Sequence, residues 1–180
     1  AASEIQPKYT RTWILMGAYA NVAAAREENK DIKNNTLTEA RSYLNEALKL
    51  SPKRQGIIIE LEKNYLLGKD YKKMEEWAKE CIKIDENLGE CYWYLGIAQI
   101  FMGEQEEGKK NIELSKENYY NDPPYIQLAG AYLSQENYKE ATEAYQNLVA
   151  IYPNNASYHA VLALLYKELG NFERARMEAM

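Results

Sequence analysis

The chain has 180 residues, of which 46% are hydrophobic and 27% are charged. These values are typical of a globular domain or a short repeat array, and they exclude wholesale disorder. The formal net charge is −5, from 22 basic and 27 acidic residues. This balance argues against a nucleic-acid partner, because nucleic-acid binding proteins present a basic surface.

The first predicted element is a helix over residues 10–29. Its apolar stretch, residues 13–25, contains Asn21 and is shorter than the roughly 20 apolar residues that cross a bilayer, so it predicts a buried helix and no membrane span. Residues 26–36 are polar and charged, and they either lengthen this helix or form a loop. A second helix is predicted over residues 37–50.

The sequence then repeats with a period of 34 or 33 residues. Apolar residues recur every three or four positions, turn residues follow, and a second apolar stripe completes each period, which predicts a helix–turn–helix unit. Two of the columns in register are Leu61, Leu95, Leu128 and Leu162, and Ala40, Met74, Gly108, Ala141 and Ala175.

The fourth unit shows the pattern most fully, with Tyr125, Leu128, Ala129 and Tyr132 followed by Tyr138, Ala141, Tyr145 and Pro153. This pattern resembles the tetratricopeptide repeat, a pair of helices in about 34 residues. The resemblance covers nearly the whole chain. It implies an all-α, right-handed superhelical solenoid of antiparallel helix pairs, and a protein–protein interaction scaffold rather than an enzyme.

One array of five units is predicted. The units are residues 10–54 with the insertion 26–36, then 55–88, 89–121, 122–155 and 156–180. The fifth unit stops partway through its second helix, so we expect either further chain or another molecule to cover this end. The first residue is Ala1 rather than Met, which indicates a processed chain or a piece of a longer one.

Motifs that suggest chemistry are few. Residues 103–110 fit the start of a phosphate-binding loop, but Lys110 stands where Ser or Thr is required. His159 is the only histidine, and we expect it to pack rather than catalyse. Cys81 and Cys91 lack the spacing of a zinc site and are also expected to pack. The sequence therefore predicts no catalytic residue, metal site or cofactor.

The resemblance implies a concave groove lined by the first helix of each unit. Trp93, Tyr94, Ile97 and Phe101 make this groove apolar and suggest an exposed hot spot for an apolar or amphipathic peptide or helix. The alternative is that curvature of the superhelix buries some of them. The predicted groove residues are Ile59, Glu60, Lys63, Trp93, Tyr94, Ile97, Phe101, Ile126, Gln127, Gly130 and Leu133.

Two other interpretations stay open. Residues 11–15, 51–55 and 88–93 are similar to stretches in the tails of O-antigen polymerase-like or ligase-like bacterial envelope proteins, which implies the soluble tail of a membrane protein. Self-association is the other, as a homodimer through the groove or the uncapped C-terminal end. The compartment stays open between cytoplasm and periplasm.

Overall fold

The structure is a computed structural model that describes residues 9–118, 120 and 124–180. These residues form ten α-helices and no strand, and consecutive helices pack in antiparallel pairs. None of the described helices is both long and apolar enough to cross a bilayer. The helices are α1 Thr10–Arg26, α2 Lys30–Leu50, α3 Gln55–Leu67, α4 Tyr71–Ile84, α5 Gly89–Phe101, α6 Gln105–Glu117, α7 Tyr125–Ser134, α8 Tyr138–Ile151, α9 Ala156–Glu168 and α10 Phe172–Glu178.

The turn inside each of units two to five has the same backbone shape. One residue of each turn adopts a positive φ, at Lys69, Gly103, Glu136 and Gly170. These positions follow the period of the sequence, so the repeat extends to the backbone of the turn. The near-match to a phosphate-binding loop is explained by this geometry, because Gly103 occupies the turn and Gly108 is buried in α6.

The insertion lengthens the second helix of unit one. Helix α1 ends at Arg26, and α2 begins at Lys30 rather than at the predicted residue 37. The expectation that residues 26–36 lengthen the first helix or form a loop is therefore wrong. The side chain of Asn29 caps α2 by accepting hydrogen bonds from the backbone amides of Asp31 and Ile32, at 3.0 and 3.2 Å. The boundary expected between residues 121 and 122 lies outside the described residues.

A buried polar network fixes unit one against unit two. Asn64 on α3 donates to the side-chain oxygen of Asn21 on α1, at 2.6 Å, and to the carbonyl of Leu37 on α2, at 3.0 Å. Arg41 donates to the side-chain oxygen of Asn64 at 2.7 Å. Because buried amides require partners, this network sets the register of three helices at once.

The units are not joined in the same way along the array. Helix α3 packs against both α1 and α2, and α5 packs against both α3 and α4. Among the described helices, α5 packs against α7 at the junction of units three and four, and α8 packs against α9 at the junction of units four and five. An ion pair between Lys109 on α6 and Glu140 on α8, at 2.6 Å, also links units three and four. The first three units therefore form the more tightly connected half.

The different surroundings of Gly96 in unit three and Gly130 in unit four predict opposite effects of an alanine at the two positions. A Cβ atom on Gly96 would lie 2.7 Å from the carbonyl oxygen of Gly108, whereas one on Gly130 would meet nothing within 4 Å. We expect Gly96→Ala to lower the free energy of unfolding by about 1–3 kcal/mol, because α5 and α6 must separate. Gly130→Ala should raise it by about 0.5–1 kcal/mol, because alanine favours a helix interior. Denaturant unfolding of both variants checks this, and shifts of the same sign would contradict the packing.

Cys81 and Cys91 form a disulfide, so the expectation that they merely pack is wrong. Their Cα atoms lie 5.7 Å apart, because the end of α4 lies beside the start of α5. Both residues are fully buried. The bond links the second helix of unit two to the first helix of unit three.

Reduction of this disulfide should destabilise the chain by about 3 kcal/mol, because the bond restricts a short loop in the unfolded state. Thermal unfolding with and without dithiothreitol measures the effect. The double substitution Cys81→Ala and Cys91→Ala is the matched control, since the chain contains only these two cysteines. The midpoint of the control should not respond to the reductant. An unchanged midpoint in the unsubstituted chain would show that the bond contributes nothing.

Candidate interaction surface

The structure buries the centre of the predicted hot spot. Trp93 and Ile97 are 0% exposed and Tyr94 is 1% exposed, while Ile59 is 9% exposed. The expectation that these side chains stand exposed in the groove is therefore wrong. They belong to the hydrophobic core, because α5 lies between α3, α4, α6 and α7.

Trp93 owes its burial to the junction between units three and four. Its ring meets the rings of Tyr120 and Tyr125 edge-on, with centroids 5.9 Å away in each case. Its indole nitrogen lies 3.4 Å from the side-chain oxygen of Gln127 on α7, to which it donates. Burial also raises the pKa of the Tyr94 hydroxyl well above its usual range, so Tyr94 stays protonated. Trp93 and Tyr94 therefore lie in the core, beneath the residues that form the surface.

Phe101 is partly buried by a ring contact between units. It stacks on Tyr71 with ring centroids 4.2 Å apart and an interplanar angle of 2°. Tyr71 is the first residue of α4, and Phe101 is the last residue of α5. This pair shows how the second helix of one unit meets the first helix of the next.

Helix α7 contributes the more accessible members of the predicted set. Ile126 is 45% exposed, and Gln127, Gly130 and Leu133 are partly exposed. A cavity of about 230 Å³ lies beside Ile126 and is lined in part by Leu148 on α8 and Tyr158 on α9. Leu164 on α9 occupies the same repeat position as Gly130 and is 60% exposed.

A cluster of charged side chains lies on the surface of units two and three. Lys63 lies 3.0 Å from a carboxylate oxygen of Glu60 and 4.0 Å from one of Glu90. Asn21 donates to the other carboxylate oxygen of Glu60 at 3.2 Å. Burial raises the pKa of Glu90, and the nearby Lys63 opposes this effect. The sequence suggested an apolar groove, but this part of the surface is charged.

Glu62 is a buried carboxyl group that the sequence reasoning missed. It is 0% exposed, and within the described part of the chain neither side-chain oxygen has a hydrogen-bond partner. Burial raises its pKa well above the usual range, with a further contribution from Glu90 and an opposing one from Lys63. Other units have Gly17, Gly96 or an alanine at this repeat position. The presence of a glutamate where the other units have a small residue was the signal in the sequence that marked Glu62 as unusual.

His159 holds the last helix in place rather than standing alone. One ring nitrogen lies 2.6 Å from a carboxylate oxygen of Glu178 on α10, and the other lies 2.9 Å from the carbonyl of Pro153. These two acceptors raise the pKa of His159, the backbone carbonyl most. A cleft of about 850 Å³ lies beside this contact, lined in part by Ala160, Leu164, Lys167 and Met177.

The described residues contain no cluster of three or more histidine, cysteine or acidic side chains able to hold a metal ion. Their accessible side chains supply apolar contacts, ion pairs and hydrogen bonds.

Comparison with known proteins identifies the repeat. Residues 132–177 match the tetratricopeptide repeat family model. The chain is 28% identical over 141 residues to the TPR repeat-containing protein YpiA of Bacillus subtilis, covering 76% of this chain and 33% of YpiA. It is 27% identical over 111 residues to the BBSome complex member BBS4 of Bos taurus, covering 62% of this chain and 21% of BBS4. The chain thus spans a third or less of these relatives.

Solved structures share the fold. A chain in the crystal structure of the APC/C hetero-tetramer Cut9–Hcn1 superposes with a TM-score of 0.72 at 16% identity, covering 98% of this chain and 33% of that one. The crystal structure of MamA superposes with a TM-score of 0.61 at 22% identity, covering 83% of this chain and 88% of MamA. The fold is a tetratricopeptide-type solenoid. The matches give no support to the resemblance to O-antigen polymerase or ligase tails.

Proposed function

We propose that this chain is a protein-binding scaffold and that its partner lies along the first helices of the units. The observation that carries the proposal is a set of partly exposed side chains at equivalent repeat positions of α3 and α7. Glu60 and Gln127 share one such position, and Lys63 and Gly130 share another. Residues at equivalent positions of a solenoid face the same side of the array.

This side of the array has two chemical zones. Units two and three present the carboxylates of Glu60 and Glu90 around Lys63. Unit four presents Ile126 and the partly exposed Leu133. A partner segment that fits both zones carries apolar side chains for the second zone and a basic or hydrogen-bond-donating side chain for the first.

The buried aromatic residues have an indirect role in this proposal. Trp93 holds Gln127, and α5 as a whole fixes the distance between α3 and α7. A rigid inner face keeps the ordering cost of binding low. In this proposal the predicted groove residues divide into accessible side chains that contact a partner and buried ones that position them.

Selection of binders from a displayed library of random peptides tests the proposal. Dissociation constants of the selected peptides are then measured against the unsubstituted chain, Ile126→Asp and Glu60→Lys. We expect each substitution to weaken binding at least about tenfold, since a hot-spot contact contributes more than 1 kcal/mol. Lys83→Glu on α4 is the matched control, because its side chain is 68% exposed at an outer position.

Thermal unfolding of all three variants separates loss of fold from loss of binding. Equal affinity of the selected peptides for Ile126→Asp, Glu60→Lys and the unsubstituted chain would contradict the proposed surface. Loss of binding in Lys83→Glu alone would show that the peptides bind to the second helices of the units.

A further inference from the structure

The cavity beside Ile126 lies where the start of α7, the end of α8 and the start of α9 meet. Its volume of about 230 Å³ is below the range of roughly 300–1,000 Å³ that holds a drug-sized ligand, so it suits a single side chain. Its rim is accessible, because Ile126, Ile151 and Tyr152 are 45%, 46% and 52% exposed. The described residues that line it are Pro124, Tyr125, Ile126, Leu148, Ile151, Tyr152 and Tyr158.

The same location is closed at the junction of units two and three. By the repeat, Leu148 and Tyr158 stand where units two and three have the two cysteines, which form the disulfide and are fully buried. Ile59 is the counterpart of Ile126 and is 9% exposed, against 45% for Ile126. Units four and five lack this bond, and the cavity lies at their junction. The cavity is therefore a local departure from the repeat inside the array.

The chemistry of the lining selects among possible occupants. The ring of Tyr158 lies 6.0 Å from the ring of Tyr152, at an interplanar angle of 58°, and 6.3 Å from the ring of Tyr145, at 67°. None of the described residues that line the cavity carries a formal charge. A charged group would lose its hydration there without an opposite charge to offset the loss. An uncharged aromatic ring would instead add tilted or edge-on contacts of the kind that these tyrosines already make.

We infer that this cavity receives one uncharged aromatic side chain from the partner segment. The inference rests on the proposed function, because Ile126 belongs both to the rim of the cavity and to the apolar zone of the proposed surface. An aromatic side chain seated in a pocket is a common anchor of protein interfaces. The partner segment therefore carries its aromatic anchor at units four and five, and its basic or hydrogen-bond-donating side chain near Glu60 and Glu90.

A double-mutant cycle on the peptides selected above tests the inference. Ile151→Asp places a charge in the cavity, and each aromatic residue of a peptide is replaced in turn by alanine. Against the unsubstituted chain, loss of the anchoring residue should weaken binding at least about tenfold. Against Ile151→Asp the same loss should have little further effect, because the anchor has already lost its site. Ile32→Asp in unit one is the matched control, since Ile32 is 51% exposed and Ile151 is 46% exposed. It should bind every peptide like the unsubstituted chain.

Thermal unfolding shows whether Ile151→Asp keeps its fold, and Tyr152→Ala, which removes an exposed ring from the rim, is the second variant. Both variants should give the same non-additive result. Additive losses in the cycle would overturn the inference, as would selected peptides that contain no aromatic residue. If Ile126→Asp and Glu60→Lys still weakened binding in that case, the proposed surface would stand without the anchor. Equal affinity of the peptides for all of these variants would remove the surface as well.

Discussion

Replacement of Trp93 by alanine is expected to unfold much of the array rather than to weaken a partner selectively. The side chain is fully buried, contacts the ring of Tyr120, and contacts the ring of Tyr125 across the junction of units three and four. Loss of a buried tryptophan typically costs about 3–5 kcal/mol, which is a large share of the stability of a domain of this size. Denaturant unfolding followed by circular dichroism gives the free energy of unfolding directly.

Trp93→Phe is the matched control for this prediction. Phenylalanine keeps an aromatic ring against Tyr125 but removes the donor that faces Gln127, at 3.4 Å. We expect a smaller loss for this variant than for Trp93→Ala, since aromatic packing survives. A different result would contradict this prediction. If the Trp93→Ala chain were as stable as the original but unable to bind the selected peptides, Trp93 would contact the partner directly, as the sequence suggested.

Replacement of Glu62 by methionine is expected to stabilise the chain at neutral pH. The carboxyl group is buried, and none of the described residues offers its oxygens a hydrogen bond. An unsatisfied buried polar group costs about 1–3 kcal/mol, and methionine fills a similar volume without that cost. Thermal or denaturant unfolding at pH 7 should show a gain within this range. A loss of stability would mean that the carboxyl group has a partner in solution.

The pH dependence of stability provides a second test of Glu62. Its pKa in the folded chain is raised above the ordinary value of 4.5. Between the two values the folded chain retains a proton that the unfolded chain has released, so this group makes stability fall as pH rises through that window. Below the lower of the two pKa values Glu62 is protonated in both the folded and the unfolded chain, so it no longer makes stability depend on pH. Glu62→Gln keeps the shape without the titration, so its stability should fall less with rising pH than that of the original chain.

The period of the sequence predicted the fold because each unit repeats the same pattern of buried and exposed residues. Columns such as Leu61, Leu95, Leu128 and Leu162 fix which face of each first helix is buried, and all four are 6% exposed or less. Helix pairs follow from this pattern alone.

The surface was harder to predict because it depends on how the units stack. Position within a unit suggested that Trp93 and Tyr94 face a partner, yet the approach of α5 to α7 buries Trp93. Glu62 and the pair Cys81–Cys91 escaped prediction because each requires knowledge of what lies across from it. The start of α2 was missed because residues 30–36 carry no apolar stripe, and the Asn29 cap determines where the helix begins.

The uneven connection between units has a consequence for how the array opens. In a linear array, cooperativity depends on the free energy of coupling between neighbours. Units one to three are coupled through two packed helix pairs at each junction and a disulfide. At each later junction one pair of the described helices packs together, and the Lys109–Glu140 ion pair adds a side-chain link between units three and four. Amide hydrogen exchange should therefore be slowest in α3 and α5 and faster from α7 to α10. We therefore expect unfolding of the described helices to begin in the C-terminal half and to reach the disulfide-linked half last.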